Sequence, residues 1–222
     1  MEITWLAHSC FRLRIGDVTV ITDPFPQQIG TKIGKIEPNI VTISNDHPNH
    51  STTEGIPDGY KIVNGPGEYA ISSIYIRGLL TSQSGGENPE PKNTAYLFEM
   101  DSVHLCHLGD LSSGLSDAQV EELTPVDVLF IPVGGRCTIP ISKVSEIIRD
   151  LGPRLIIPMH YSTPGINVDL EKLDPFLKEL SAKAGDPQPR INVTATNLPM
   201  EPTVTLLRPT RARDSDVNNR PE

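Results

Sequence analysis

The chain has 222 residues, with 28 acidic against 19 basic side chains and a net charge of −9. That length is ample for one large core, and the acidic balance argues against a general nucleic-acid binder, which needs a basic surface to track phosphates. No run approaches membrane-spanning length, and residues 2–6 open directly into apolar sequence without a basic leader. The expectations are a cytoplasmic protein with neither a membrane nor a nucleic-acid partner. Cys10, Cys106 and Cys137 are widely spaced and contain no C-x-x-C, so neither a disulfide framework nor a cysteine zinc site is indicated.

Residues 2–6, 10–15 and 18–22 read as three short strands. Phe11, Leu13 and Ile15 alternate with Arg12 and Arg14, and Gly16-Asp17 supplies the turn. Asp23-Pro24 ends the third strand, because proline cannot continue a ladder. A further strand over 39–43 is rich in β-branched residues and empties into Ser44-Asn45-Asp46-His47-Pro48-Asn49-His50-Ser51, read as a polar loop. A brief strand follows at 60–63, then the tight turn Asn64-Gly65-Pro66-Gly67-Glu68-Tyr69 and a strand over 70–77. Residues 78–93 read as a polar excursion over the surface, and 94–99 with 102–108 as two more strands.

The texture then changes to alternating strand and helix. Ser116-Asp117-Ala118-Gln119 is a capping box opening a helix to about Leu123, and 126–133 is an apolar strand ending at Gly134-Gly135. Val144, Ile147, Ile148 and Leu151 recur at helical spacing, which predicts a helix over 142–151 stopped by Gly152-Pro153. A buried strand over 154–158 runs into Met159-His160-Tyr161. Asp174-Pro175 reads as an N-cap and first helical proline of a helix to about Lys183, and strands near 191–195 and 203–208 close the fold. Residues 209–222 have few large apolar side chains and are expected to be a disordered tail beyond one domain over 1–208.

Several strand ends carry metal-type donors. His47 and His50 follow the strand over 39–43, Asp110 follows 102–108, and His160 follows 154–158. Imidazole nitrogen and carboxylate oxygen suit a zinc-like ion. Taken singly, each has a bland structural reading, such as a turn cap or a hydrogen-bonded core histidine. Taken jointly they share one sheet edge, which independent structural roles would not favour. His104 and His107 lie three apart in a strand, face opposite ways, and read as structural.

These residues carry a resemblance. Trp5-Leu6-Ala7-His8-Ser9-Cys10-Phe11, Thr22-Asp23-Pro24, the 43–51 segment, Gly65-Pro66-Gly67-Glu68-Tyr69, His107-Leu108-Gly109-Asp110, Phe130 through Gly135 and Ile157 through Tyr161 occur in the order found in metallo-β-lactamase-fold proteins. The similarity is to the branch of the ascorbate-6-phosphate lactonases and related zinc-dependent hydrolases. It implies an α/β fold, a four-layer αββα sandwich with its site along one edge of two sheets.

The family's loop motif H-x-H-x-D-H reads Asn45-Asp46-His47-Pro48-Asn49-His50 here, and no histidine lies between His50 and His104, where the family has another. Three donors of a two-metal site are therefore replaced or missing. The resemblance then implies a single divalent metal, zinc before manganese or iron, on His50, Asp110 and His160, with His47 as an auxiliary donor. His8 and Asp23 would stand behind the ligands as orienting groups. Glu68 and Tyr161 are the weak candidates for acid/base or substrate contact. The implied activity is hydrolysis of a small cytosolic molecule, anionic or phosphorylated. The alternative is a relative without metal or turnover that binds a metabolite or partner.

Overall fold

A computed structural model describes residues 1–81, 92–135 and 138–210. The first three strands are β1 (Glu2–Ala7), β2 (Cys10–Ile15) and β3 (Val18–Thr22), followed by β4 (Ile40–Ile43), a four-residue helix α1 (Pro48–Ser51) and β5 (Lys61–Asn64). A second group comprises β6 (Gly67–Ile71), β7 (Ile74–Leu80), β8 (Thr94–Met100) and β9 (Val103–His107). The alternating part runs α2 (Asp117–Leu123), β10 (Val128–Pro132), α3 (Ile141–Leu151), β11 (Leu155–Met159) and α4 (Asp174–Glu179), closing with β12 (Ile191–Asn192) and β13 (Thr203–Val204). One six-stranded sheet has the order β12-β1-β2-β3-β4-β5, and a seven-stranded sheet the order β13-β11-β10-β9-β8-β7-β6.

Alternation along the strands sorts side chains between two cores. Val20 and Ile40 enter the large core with Trp5, Phe11, Phe98 and Phe130. Their neighbours Ile21 and Val41 turn to a smaller cluster with Phe25, Ile29 and Ile56. That second face of the first sheet is covered by loop residues and a short 3-10 turn (Gln27–Ile29) rather than by a long helix. The second sheet receives the amphipathic stripe of α3, whose Val144, Ile147, Ile148 and Leu151 are all buried. β9, β10 and β11 are parallel and adjacent. The crossovers through α2 and α3 therefore progress the same way and lie on one face, as right-handed connections require.

Strand direction is what places the site. β1 pairs antiparallel with β2 and β2 antiparallel with β3, so β1 and β3 run the same way, and β3 is parallel to β4. Their C-terminal ends share one edge. The parallel set β9, β10 and β11 brings three more C-terminal ends to an edge of the other sheet.

The structure differs from the sequence expectations at four places. The strand expected over 70–77 is the hairpin β6–β7, reversed at Ser72 and Ser73 with φ of 50° and 64°. Two successive left-handed residues make the tight turn favoured by strand twist, and serine gave no glycine or asparagine signal for it. The loop after β4 contains α1, because Pro48 sits at the first helical position with His47 as N-cap. α4 is capped by Leu173 rather than Asp174 and ends at Glu179, short of the expected Lys183. Of the expected tail, Thr210 donates its backbone N–H to the Trp5 carbonyl at 2.9 Å, so the ordered chain extends past 208. Residues 211–222 of that tail, most of the 78–93 excursion (82–91) and Cys137 lie outside the described residues.

Candidate metal centre

Several of the strands entering the edge leave it through a left-handed residue. His8 after β1, Asp23 after β3 and His160 after β11 have φ of 53°, 38° and 55°. Non-glycine residues seldom adopt this region, and such strain persists only where the surroundings over-determine it, often at functional sites. Gly109, after β9, has φ of 63°, and a Cβ there would stand 2.4 Å from the Asn93 side-chain oxygen. Glycine is therefore the residue that lets Asp110 reach the edge. At Gly134 a Cβ would fall 2.0 Å from the His160 carbonyl, so the β10 exit can pass that close only without a side chain.

The centre is built on His50, which is buried at the end of α1. Its Nδ1 lies 2.8 Å from Asp23 Oδ2. Asp23 is itself held by the Ser44 backbone N–H (2.8 Å) and the Ser44 hydroxyl (2.6 Å). A carboxylate bonded to one ring nitrogen fixes the tautomer and aims the other nitrogen outward. That other nitrogen, Nε2, is 3.6 Å from Asp110 Oδ2, and His160 Nε2 is 3.7 Å from Asp110 Oδ1. Asp110 is positioned by Asn93, whose Oδ1 accepts the Asp110 backbone N–H at 2.9 Å while its amide donates to Thr81 and to the Leu108 carbonyl.

His8 joins this group. One ring nitrogen from each of His8, His50 and His160 lies within 4.8 Å of the other two, and all three residues are buried. The His8 carbonyl accepts the His160 backbone N–H at 3.0 Å and the Trp5 indole N–H at 3.0 Å, which ties the β1 exit to the β11 exit. Among the described residues, neither ring nitrogen of His8 has a hydrogen-bond partner, nor do His160 Nδ1 and Asp110 Oδ1. Buried polar atoms are nearly always paired, so four orphans around one point need a reason. His107, fully buried nearby, is the contrast: its Nε2 donates to the Ser9 carbonyl and its Nδ1 accepts the Gly109 N–H. That histidine is satisfied as structure.

Electrostatics follow from burial. His8 is held well below the usual imidazole range by burial, reinforced by the charges of His160, His50 and His47. His160 is lowered in the same way by burial and then by His50. For His50 burial opposes the charged form, but the bond to Asp23 and the charges of Asp23 and Asp110 outweigh it and raise the pKa. Asp23 is correspondingly lowered, since the bond from His50 and the bonds from Ser44, with the charges of His107 and His50, outweigh its burial. Burial raises Asp110 despite the pull of His50. Two neutral imidazoles, a third oriented by a carboxylate and an acid open on one side form a donor set that fits a divalent cation.

Other residues named from the sequence stand elsewhere. His47 is exposed; its Nδ1 accepts the Asn49 backbone N–H at 3.2 Å, and its ring centroid is 6.3 Å from that of His50. Asn45 is spent on its own loop, accepting the His47 N–H at 3.0 Å and donating to the Ser44 hydroxyl at 3.1 Å. Glu68 is exposed on β6, 3.5 Å from Arg77. Tyr161 is buried beside Trp5 with ring centroids 5.1 Å apart, and burial pushes its hydroxyl up to about 12. Ser44 and Asn93 drew no attention in the sequence, since neither type at a strand end signals more than a turn.

Residues 2–160 match the model of the beta-lactamase superfamily domain. That covers well over half of the chain. The chain belongs to the beta-lactamase superfamily. A Thermotoga maritima structure assigned to the Zn-dependent hydrolases of the metallo-beta-lactamase superfamily is 32% identical, with a TM-score of 0.77 over 93% of this superfamily member and 97% of that chain. A UPF0173 protein of Pyrococcus furiosus is 27% identical over 82% of this chain and 92% of its own length. A UPF0173 metal-dependent hydrolase of Methanoculleus marisnigri is 28% identical over 78% and 86%. The two sheets and their order thus belong to the αββα sandwich of this superfamily.

Proposed function

We propose that the chain is a metal-dependent hydrolase working with one divalent cation, which His50, Asp110 and His160 would hold. The observation that supports this reading is the meeting of free ring nitrogens and a carboxylate from α1, the β9 exit and the β11 exit, at 3.6 and 3.7 Å. When bound, such a cation supplies Lewis acidity toward a water and toward a substrate oxygen. The chain's own groups do the rest. Asp23 keeps the His50 tautomer, and Asn93 sets the Asp110 backbone. Asp110, with 23% of its side chain exposed, would hold the cation from the open side. The metal-dependent hydrolases among its relatives favour the hydrolase part of this reading.

An anionic substrate is suggested by one cavity of about 1200 Å³, bounded by Tyr161, next in the chain to His160, and by Lys32, Arg208, Thr31, Thr163 and Thr210, although none of His8, His50, Asp110 and His160 lines it. Among the described residues no acid lines it and neither Lys32 nor Arg208 forms an ion pair, although the chain as a whole is acidic. Among the described residues no helix is long and apolar enough to cross a membrane.

The test is metal analysis of protein purified without chelator or affinity nickel, followed by a screen of lactones, phosphoesters and acyl esters with zinc, manganese or iron(II). Turnover that vanishes with chelator is the expected result. The engagement of Asn45 and His47 in their own loop favours a second reading, a binding protein without turnover. Metal-loaded protein that turns over nothing, yet melts higher with an anionic metabolite present, would establish that reading instead.

A further inference from the structure

We propose that His8 is a metal ligand, contributing a third imidazole beside His50 and His160 and replacing donors that the 45–50 loop no longer offers. The inference rests on the single-cation reading above and assigns one more residue to that site.

Three observations carry it. The first is position: the His8 ring centroid is 4.8 Å from that of His50 and 4.1 Å from that of His160, closer than those two are to each other at 5.4 Å. Donors on a tetrahedral zinc-like ion stand roughly 3.3–3.5 Å apart, so nitrogens already within 4.8 Å need only side-chain rotation to meet one ion. The second is the unpaired state of both His8 nitrogens at 2% exposure. Leaving a polar atom buried and unpaired is unfavourable, and a phenylalanine would fill the space without polar atoms to satisfy. The third is backbone placement. His8 sits at φ 53°, and its carbonyl is bonded to the His160 N–H, so the two imidazoles are fixed on adjoining strand exits.

An orienting role, as Asp23 has for His50, does not fit His8, because among the described residues its ring bonds to no other side chain. His47 cannot supply the third imidazole in its present geometry, since its Nδ1 caps α1. The resulting set is three imidazoles with Asp110. The imidazoles of His50 and His160 are 1% and 2% exposed against 23% for Asp110, which makes the carboxylate the donor placed to give way when substrate enters.

The test loads the whole chain with cobalt(II) and counts hyperfine-shifted, exchangeable imidazole N–H resonances by proton NMR, with zinc affinity measured by calorimetry. Three such resonances are expected in the wild type and in His47→Ala, and two in His8→Ala and His8→Phe. Zinc affinity should fall at least tenfold in both His8 variants and stay within about threefold in His47→Ala. His8→Phe keeps the packing and guards against loss of folding, which its metal-free melting curve reports. Restoration of wild-type affinity by phenylalanine, or two resonances in the wild type, would overturn the assignment while leaving a single-metal hydrolase intact. A wild type that binds no divalent cation would overturn both.

Discussion

Two ends of one six-residue loop behave in opposite ways. At one end, Asn45 and His47 spend their side chains on the loop: Asn45 holds the His47 N–H, and His47 holds the Asn49 N–H. At the other, His50 goes into the protein, locked to Asp23 and facing Asp110 and two further imidazoles. The first end satisfies its polar atoms within its own loop. The second turns one ring nitrogen to Asp23 and faces, with the other, a group in which His8, His160 and Asp110 carry unpaired buried atoms among the described residues. A side chain that has found a backbone partner has no donor to offer an ion, and a buried one without a partner has a standing need for one. The comparison separates a histidine held by its own loop from one turned into the interior, although sequence spacing treats them alike.

Substitutions can break this contrast. The largest effect is expected for His160→Ala, which removes a buried imidazole from the centre. Calorimetric titration with zinc should show no binding in the micromolar range, because a site with so few donors cannot lose one. If affinity is unchanged, the ion sits elsewhere. Asp23→Asn comes next. The amide cannot accept the His50 Nδ1 proton as a carboxylate does, so His50 loses its fixed tautomer, and zinc affinity should fall roughly 10–100-fold. The same titration, with circular dichroism to confirm folding, checks it. The smallest effect belongs to the other end of the loop. Asn45→Ala deletes bonds of 3.0 and 3.1 Å and should cost about 1–2 kcal/mol in urea unfolding, with zinc affinity within about twofold of wild type. A large loss of affinity there would mean that the local bonds do not isolate Asn45 from the centre.

The strands were legible because their signal is local. Alternation at Phe11, Leu13 and Ile15 gave β2, and the Val144-Ile147-Ile148-Leu151 stripe gave α3 within a residue of its start. The β6–β7 hairpin was not legible, since Ser72 and Ser73 take up left-handed turns that serine does not advertise. Strand-end reasoning singled out His50, Asp110 and His160 because each lies just past the C-terminal end of a strand, β4 in one sheet and β9 and β11 in the other. The structure brings a ring nitrogen of His50 and one of His160 to 3.6 and 3.7 Å from the Asp110 carboxylate. The nearness of His8 needed one more step. β1 reverses through β2 into β3, so the end of β1 lies on the same edge as Asp23, and a histidine just beyond it faces the centre. What no pattern could supply was the engagement of His47, which depends on Pro48 starting a helix at that position.

The left-handed exits at His8 and His160 also set two selective pressures against each other. Glycine at either position would relieve backbone strain and remove an imidazole with buried nitrogen unpaired among the described residues, both nitrogens at His8 and Nδ1 at His160, but would leave an empty space that itself destabilises. A laboratory selection for thermal stability alone, run in metal-free medium, is therefore expected to move these positions toward apolar side chains that fill the space. On the proposed ligation, a selection run with the metal present preserves them. Binding would then offset what the two histidines cost the apo chain.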